Sequence, residues 1–226
     1  MKVGFLLSAG GAAFARAAEL SGWPVSRFFV LTDRACGAED KADSLGIARA
    51  RIDGASRPAL SAAAADRFRA EGCDVAILHY ARLIGSELFE RMPVVNVHPA
   101  LLPAFPGLDG VGDAARAGTR IQGATLHVVD AGMDTGPILA QTAAAVPRRA
   151  DTAWREALAY RQKVVVTLAL LDWCDAGLVD PARIGRAAFD LDRAPAGDTL
   201  CTPGFCHEAH ARAATSLLAE LPRPSA

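Results

Sequence analysis

DVAILHYARLIGSELFERMPVVNVHPALLPAFPGL, residues 74–108, is the stretch from which the fold is read. Two short apolar runs, DVAIL at 74–78 and PVVNVH at 93–98, enclose an amphipathic segment at 85–91. An uninterrupted apolar run of this length suits a strand covered on both faces, so the pattern is strand, helix, parallel strand. Upstream it repeats. Residues 3–7 form an apolar strand, 12–20 a helix stopped by Gly22 and Pro24, 28–31 a strand and 38–45 a helix ended by Gly46. Residues 47–52, where Ala and Arg alternate, read as a weak strand, and 57–70 as a helix. Downstream, residues 99–112 are crowded with Pro and Gly and read as a long shaped loop. Strands at 125–130 and 138–146 flank a turn at 131–137. One long helix at 151–176, N-capped by Asp151, leads to an irregular connection at 195–203 and a short terminal helix at 207–221. The expected class is α/β: a Rossmann-like, open, mostly parallel twisted sheet with helices on both faces. The core domain is placed at 1–180, and 181–226 is a C-terminal extension packed on it or partly irregular.

Composition narrows the function. With 226 residues, 51% hydrophobic and 22% charged, the chain is in the globular range. Its 24 basic and 25 acidic residues leave a net charge of −1, giving no electrostatic footprint for nucleic acid or for a membrane surface. No apolar stretch reaches the ~20 residues that span a bilayer. The five cysteines are odd in number and scattered, as reduced thiols in a cytoplasmic protein are. The partner expected is therefore a small molecule, with the chain a monomer or homodimer.

Asn96 and His98 sit two apart at the carboxyl end of a strand, so both face one cleft. The turn DAGMDTGP at 130–137 adds two carboxylates. Each segment alone reads more simply as strand or turn closure. Together, an amide donor, an imidazole and a carboxylate are the parts needed to stabilise an oxyanion and move a proton in acyl transfer. The first turn, SAGGAA at 8–13, offers backbone N–H groups to an anion but lacks the spacing of a dinucleotide fingerprint or a P-loop. His79 and His127 read as structural. Cys201, Cys206, His207 and His210 do not follow common zinc spacing, and no metal is expected.

The stretches VNVHPALLPAFPGL (95–108) and AGTRIQGATLHVVDAGMDTGPILAQ (117–141) resemble the folate-dependent formyltransferases, of the phosphoribosylglycinamide formyltransferase type. The resemblance implies the formyltransferase fold and a catalytic trio of Asn96, His98 and Asp134. It implies 10-formyltetrahydrofolate as co-substrate, held by Tyr80, Ala81, Arg82, Leu83 and Ile84 on one side and by Asp130 and Met133 on the other. The acceptor, a small-molecule amine, would lie against Gly10, Gly11, Ala12, Ala13, Pro99, Asp109 and Lys163. The family also often carries a histidine at position 127.

Three departures from that type lead to the expectation that the acceptor is not glycinamide ribonucleotide. Ala12 and Ala13 replace a Ser-Asn pair that receives the phosphate, Asp109 brings a negative charge, and Lys163 stands where a glutamate grips the ribose. The other readings are glycinamide ribonucleotide itself as acceptor, a deformylase with water as acceptor, and a catalytically silent folate binder. The methionyl-tRNA enzyme is disfavoured by the charge of −1.

Overall fold

The computed structural model describes residues 1–54, 56–197 and 201–220. Residues 198–200 of the expected irregular connection, and residue 221 of the expected last helix, lie outside that range. Seven strands form one sheet: β1 (Val3–Leu7), β2 (Phe28–Thr32), β3 (Arg49–Arg51), β4 (Val75–His79), β5 (Val94–His98), β6 (Ile121–Val128) and β7 (Ile138–Ala145). Their order is β3-β2-β1-β4-β5-β6-β7. The first five run parallel, and β6 and β7 are antiparallel to their neighbours. This is the α/β, mostly parallel architecture read from the sequence.

Seven α-helices accompany them among the described residues: α1 (Ala12–Ser21), α2 (Gly37–Leu45), α3 (Arg57–Ala70), α4 (Ser86–Phe89), α5 (Gly110–Arg116), α6 (Thr152–Asp175) and α7 (Glu208–Ala219). The alternation of β1 sorts its side chains between two cores. Val3, Phe5 and Leu7 join Phe14 of α1 and the buried run Val164, Val165 and Val166 of α6. Leu6 joins Leu60, Ala64 and Phe68 of α3 on the other face. Burying each such large side chain contributes roughly 1.5–3 kcal/mol relative to exposure, and both faces of the central strands are used. Asp151 caps α6 as expected, accepting from the Trp154 N–H at 2.8 Å.

Two elements differ from the sequence reading, and both differ at glycines. The expected loop at 99–112 ends inside a helix, α5, because Asp109 caps it by accepting from the Gly112 N–H. Gly110 is there for space: a Cβ would stand 2.9 Å from His98 Nε2. Likewise β6 begins at Ile121, four residues before its expected start. Gly123 lies so close to the Thr142 carbonyl and the Leu101 side chain that a Cβ would collide with both. It serves close packing inside a strand.

Candidate active site

In an open α/β sheet, ligands bind beyond the carboxyl ends of the strands where the strand order reverses. Here that point lies between β1 and β4, from which chain order runs outward in opposite directions. A cleft of about 460 Å³ opens there. The turn after β1, the segment 79–84 after β4, the end of β5, residues 129–134 and, from α6, Tyr160 and Lys163 form its walls. Every site residue expected from the sequence lines this cleft except Asp109. Asp109 is exposed, caps α5 and pairs with Arg116 at 2.8 Å.

At the cleft floor three side chains surround the carboxylate of Asp134. His98 Nδ1 lies 3.3 Å from Oδ2, Asn96 Nδ2 3.3 Å from Oδ1, and His127 Nε2 3.4 Å from Oδ1. A shorter bond, 2.8 Å, comes from the Gly107 N–H to Oδ2. Asp134 itself has φ 56°, a left-handed conformation that few non-glycine residues adopt. Phe105, the other such residue described, has φ 56° and accepts a 2.7 Å bond from His98 Nε2. Because a carbonyl can only accept, His98 Nε2 carries a proton and Nδ1 is left facing Asp134. Thus the two non-glycine residues with positive φ among the described residues aim the carboxylate and orient the imidazole.

His127 belongs to this centre, which the sequence reading did not expect. It stands opposite Asn96 in the β5/β6 register. Its Nδ1 donates to the Val128 carbonyl at 2.9 Å, so in the neutral ring Nε2 accepts from Asn96 Nδ2 at 3.1 Å. The amide of Asn96 is thereby turned with its N–H groups toward the carboxylate. Burial raises the Asp134 pKa, but its contact with His127, the Gly107 N–H and the neighbouring His98 imidazole together outweigh it, and the pKa ends below the ordinary value. The group is a carboxylate at neutral pH. Its contacts beyond 3.2 Å are long for hydrogen bonds, as catalytic contacts without substrate often are.

Gly136 holds the 130–137 turn in place, since a Cβ there would run into the Val128 carbonyl oxygen. If the chain has the activity that the resemblance to the formyltransferases implies, Gly136→Ala is expected to shift Asp134 and lower turnover about 10- to 100-fold, with a smaller change in affinity for the folate. Steady-state kinetics beside folate calorimetry checks this, and unchanged turnover refutes it.

The wall at 79–84 is tied down by a buried carboxylate. Asp33, at the end of β2, accepts from Tyr80 Oη at 2.7 Å, from Arg82 at 3.0 Å and from Arg34. Burial, with the Asp33 bond adding to it, pushes the Tyr80 phenol up, so it stays a neutral donor. Arg82 is mostly exposed, and its visible work is this pairing. With the folate against this wall, as the resemblance to the formyltransferases implies, Asp33→Ala is expected to raise the KM for the folate about five- to tenfold while kcat stays within about twofold, because it loosens a wall and leaves the floor intact. A fall in kcat equal to the fall in kcat/KM contradicts that assignment.

The turn after β1 leaves its amides available. Gly11, at φ 68°, precedes α1 with no side-chain cap and no acidic residue in the first turn. Lys163 faces the same cleft; burial lowers its pKa, with Glu156 opposing. His79 donates to or accepts from Thr167 at 3.0 Å, and burial, reinforced by the Lys163 charge, depresses it to about 3. It is neutral at working pH and leaves the lysine as the cation of this corner.

An open α/β sheet whose switch-point cleft gathers an amide, an imidazole and a carboxylate is an architecture suited to acyl transfer. The chain belongs to the formyl transferase family, whose description matches residues 1–163. It is 55% identical over 71 residues to the phosphoribosylglycinamide formyltransferase of Bacillus subtilis (strain 168), covering 30% of this chain and 36% of that protein. It is 40% identical over 130 residues to the enzyme of the same name from Mycobacterium tuberculosis (strain CDC 1551 / Oshkosh), covering 55% and 60%. The matched stretches thus span 36–60% of these relatives' length. Among solved structures, the phosphoribosylglycinamide formyltransferase of Streptococcus pneumoniae TIGR4 superposes with a TM-score of 0.70 at 28% identity, covering 77% of this chain and 98% of that one. Glycinamide ribonucleotide transformylase 1 of Symbiobacterium toebii gives 0.70 at 28%, covering 82% and 93%.

These relatives overturn the expectation of an acceptor other than glycinamide ribonucleotide, for each is named for that activity. The structure shows why the sequence argument was weak. The alanines at 12 and 13 remove side-chain donors but leave the uncapped backbone amides of α1. Asp109, counted as hostile to a dianion, points its charge at Arg116 away from the cleft. Lys163, counted as a loss, puts a cation into it.

Proposed function

We propose that the chain transfers the formyl group of 10-formyltetrahydrofolate to the amine of glycinamide ribonucleotide. The observation that carries the reading is the convergence of Asn96, His98 and Asp134 at one point of the cleft, in a chain whose relatives bear that enzyme's name. The folate supplies a formyl group on a good leaving nitrogen. Its flat ring suits the wall at 80–84 and the turn at 130–134, with Leu83 and Met133 offering exposed apolar surface at the mouth. Phosphate of the acceptor suits the amides opening α1 together with Lys163.

The chain's own groups account for the proton and the charge. As the amine adds to the formyl carbon, the carbonyl oxygen becomes negative and the nitrogen positive. Asn96 Nδ2–H and a protonated His98 Nδ1–H re-aim from Asp134 to that oxygen, each donor of this kind contributing ~3–4 kcal/mol. Asp134 takes the proton from the nitrogen, directly or through one water, and the proton passes to the departing folate nitrogen as the carbon–nitrogen bond breaks. His127 stays fixed to the Val128 carbonyl and keeps the Asn96 amide turned to the site.

The test is tetrahydrofolate release with glycinamide ribonucleotide at millimolar concentration. A kcat/KM of ~10⁴ M⁻¹s⁻¹ or more supports the reading. Release at the same rate without any amine would identify a deformylase, and folate binding without release a silent binder.

A further inference from the structure

The C-terminal segment lies beyond the region matched to the family, which ends at residue 163. One of its contacts converges on a single buried carboxylate. Asp172, on α6, is fully buried and accepts from the backbone N–H groups of Cys206 and His207. Its Oδ1 also meets His207 Nδ1 at 2.7 Å and His210 Nδ1 at 2.8 Å. Burial, and then the charge of the same carboxylate, push the Cys206 thiol up to about 11.

We propose that Asp172, His207 and His210 bind a divalent transition-metal ion, zinc by preference, which staples the C-terminal segment to α6. One ligand atom from each residue lies within 4.8 Å of the others. A tetrahedral zinc with bonds of about 2.0–2.1 Å needs ligand atoms about 3.4 Å apart, so small side-chain rotations suffice. The imidazoles are already turned as ligands are. His210 Nε2 is held by the Ser21 carbonyl at 3.1 Å, the outer contact that fixes a metal-bound ring and presents its other nitrogen. His207 Nε2 faces Asp175 Oδ2 at 4.0 Å, and that carboxylate is itself anchored by Arg27 at 2.8 Å. The carboxylate of Asp175 is therefore an outer partner, and Cys206 or a water is the fourth ligand. His207 is 43% exposed on its side chain and leaves an entry path.

Without the ion, both nitrogens of His210 face oxygens that only accept, so the ring is doubly protonated. Coordination at Nδ1 displaces the Nδ1 proton of His210 to solvent, while the Nδ1 proton of a neutral His207 ring moves to its Nε2, which faces Asp175, so one proton is released per ion. A dication thus takes the place of the ring charge against Asp172, and the buried carboxylate stays compensated. Spacing rules applied to positions 201–210 missed this arrangement because the anionic ligand comes from α6, more than thirty residues upstream.

Chelator-treated full-length chain is titrated with zinc chloride by calorimetry in buffers of different ionisation enthalpy, and with cobalt chloride by absorption. Expected are saturable binding at one ion per chain, proton release and tetrahedral cobalt bands, with an intense near-ultraviolet charge-transfer band if Cys206 is a ligand. Thermal unfolding shifts upward with zinc. His207→Ala, at a half-exposed position that leaves folding intact, weakens binding about 100-fold or more. Zinc affinity unchanged in His207→Ala places the ion elsewhere and refutes the site. A melting temperature that responds to pH but not to zinc, with no saturable binding, overturns the proposal and leaves a hydrogen-bonded latch.

Discussion

Asp134→Asn is expected to lower formyl transfer by ~10³-fold or more while folate affinity stays within about tenfold. Two effects combine. An amide cannot take the proton from the attacking amine, and positioned proton transfer is worth ~10²–10⁴. Asparagine also removes the negative charge that faces His98 Nδ1, so the imidazolium that should meet the developing oxyanion loses its counter-charge. The Gly107 N–H contact survives with an amide oxygen, so the turn is preserved and the loss falls on chemistry. His98→Ala and Asn96→Ala each remove one oxyanion donor, with an expected cost of ~10²–10³. Single-turnover rates with saturating donor, beside folate calorimetry and circular dichroism, decide the matter. Near-full turnover in Asp134→Asn or His98→Ala refutes the mechanism.

The parts of this site that were legible in the sequence are those whose chemistry sits in strand periodicity. Asn96 and His98 share a face because a strand alternates, and the long helix starts at Asp151 because an aspartate caps it. What was not legible depends on which strand lies beside which. His127 enters the site because β6 runs antiparallel to β5 and pairs it with Asn96, a register that no local pattern encodes. Glycine misled in the same way. Gly110 and Gly123 look like breakers in a linear reading, yet each makes room for a neighbour distant in the chain, His98 and Thr142. The charge of Asp109 was counted correctly and placed wrongly, because its direction is set by α5, a helix that Gly110 and Gly112 concealed.

Lys163 is where acceptor affinity should be most sensitive, and Lys163→Met is expected to raise the KM for glycinamide ribonucleotide about 10- to 100-fold with kcat little changed. The ammonium is partly buried, and burial lowers its pKa, so the free enzyme holds a cation at some cost that an arriving phosphate removes. A charge-assisted bond to such a group contributes about 1.5–3 kcal/mol, which corresponds to roughly 10- to 150-fold in affinity. The uncapped amides of α1 remain and retain part of the binding. Charge reversal by Lys163→Glu sets a carboxylate against the dianion and should cost more than the neutral variant. Both variants leave Asn96, His98 and Asp134 untouched, so the loss appears in KM for the acceptor and not in KM for the folate. If Lys163→Met instead lowers kcat with both KM values unchanged, the lysine serves the chemistry, and the phosphate is held by the α1 amides alone.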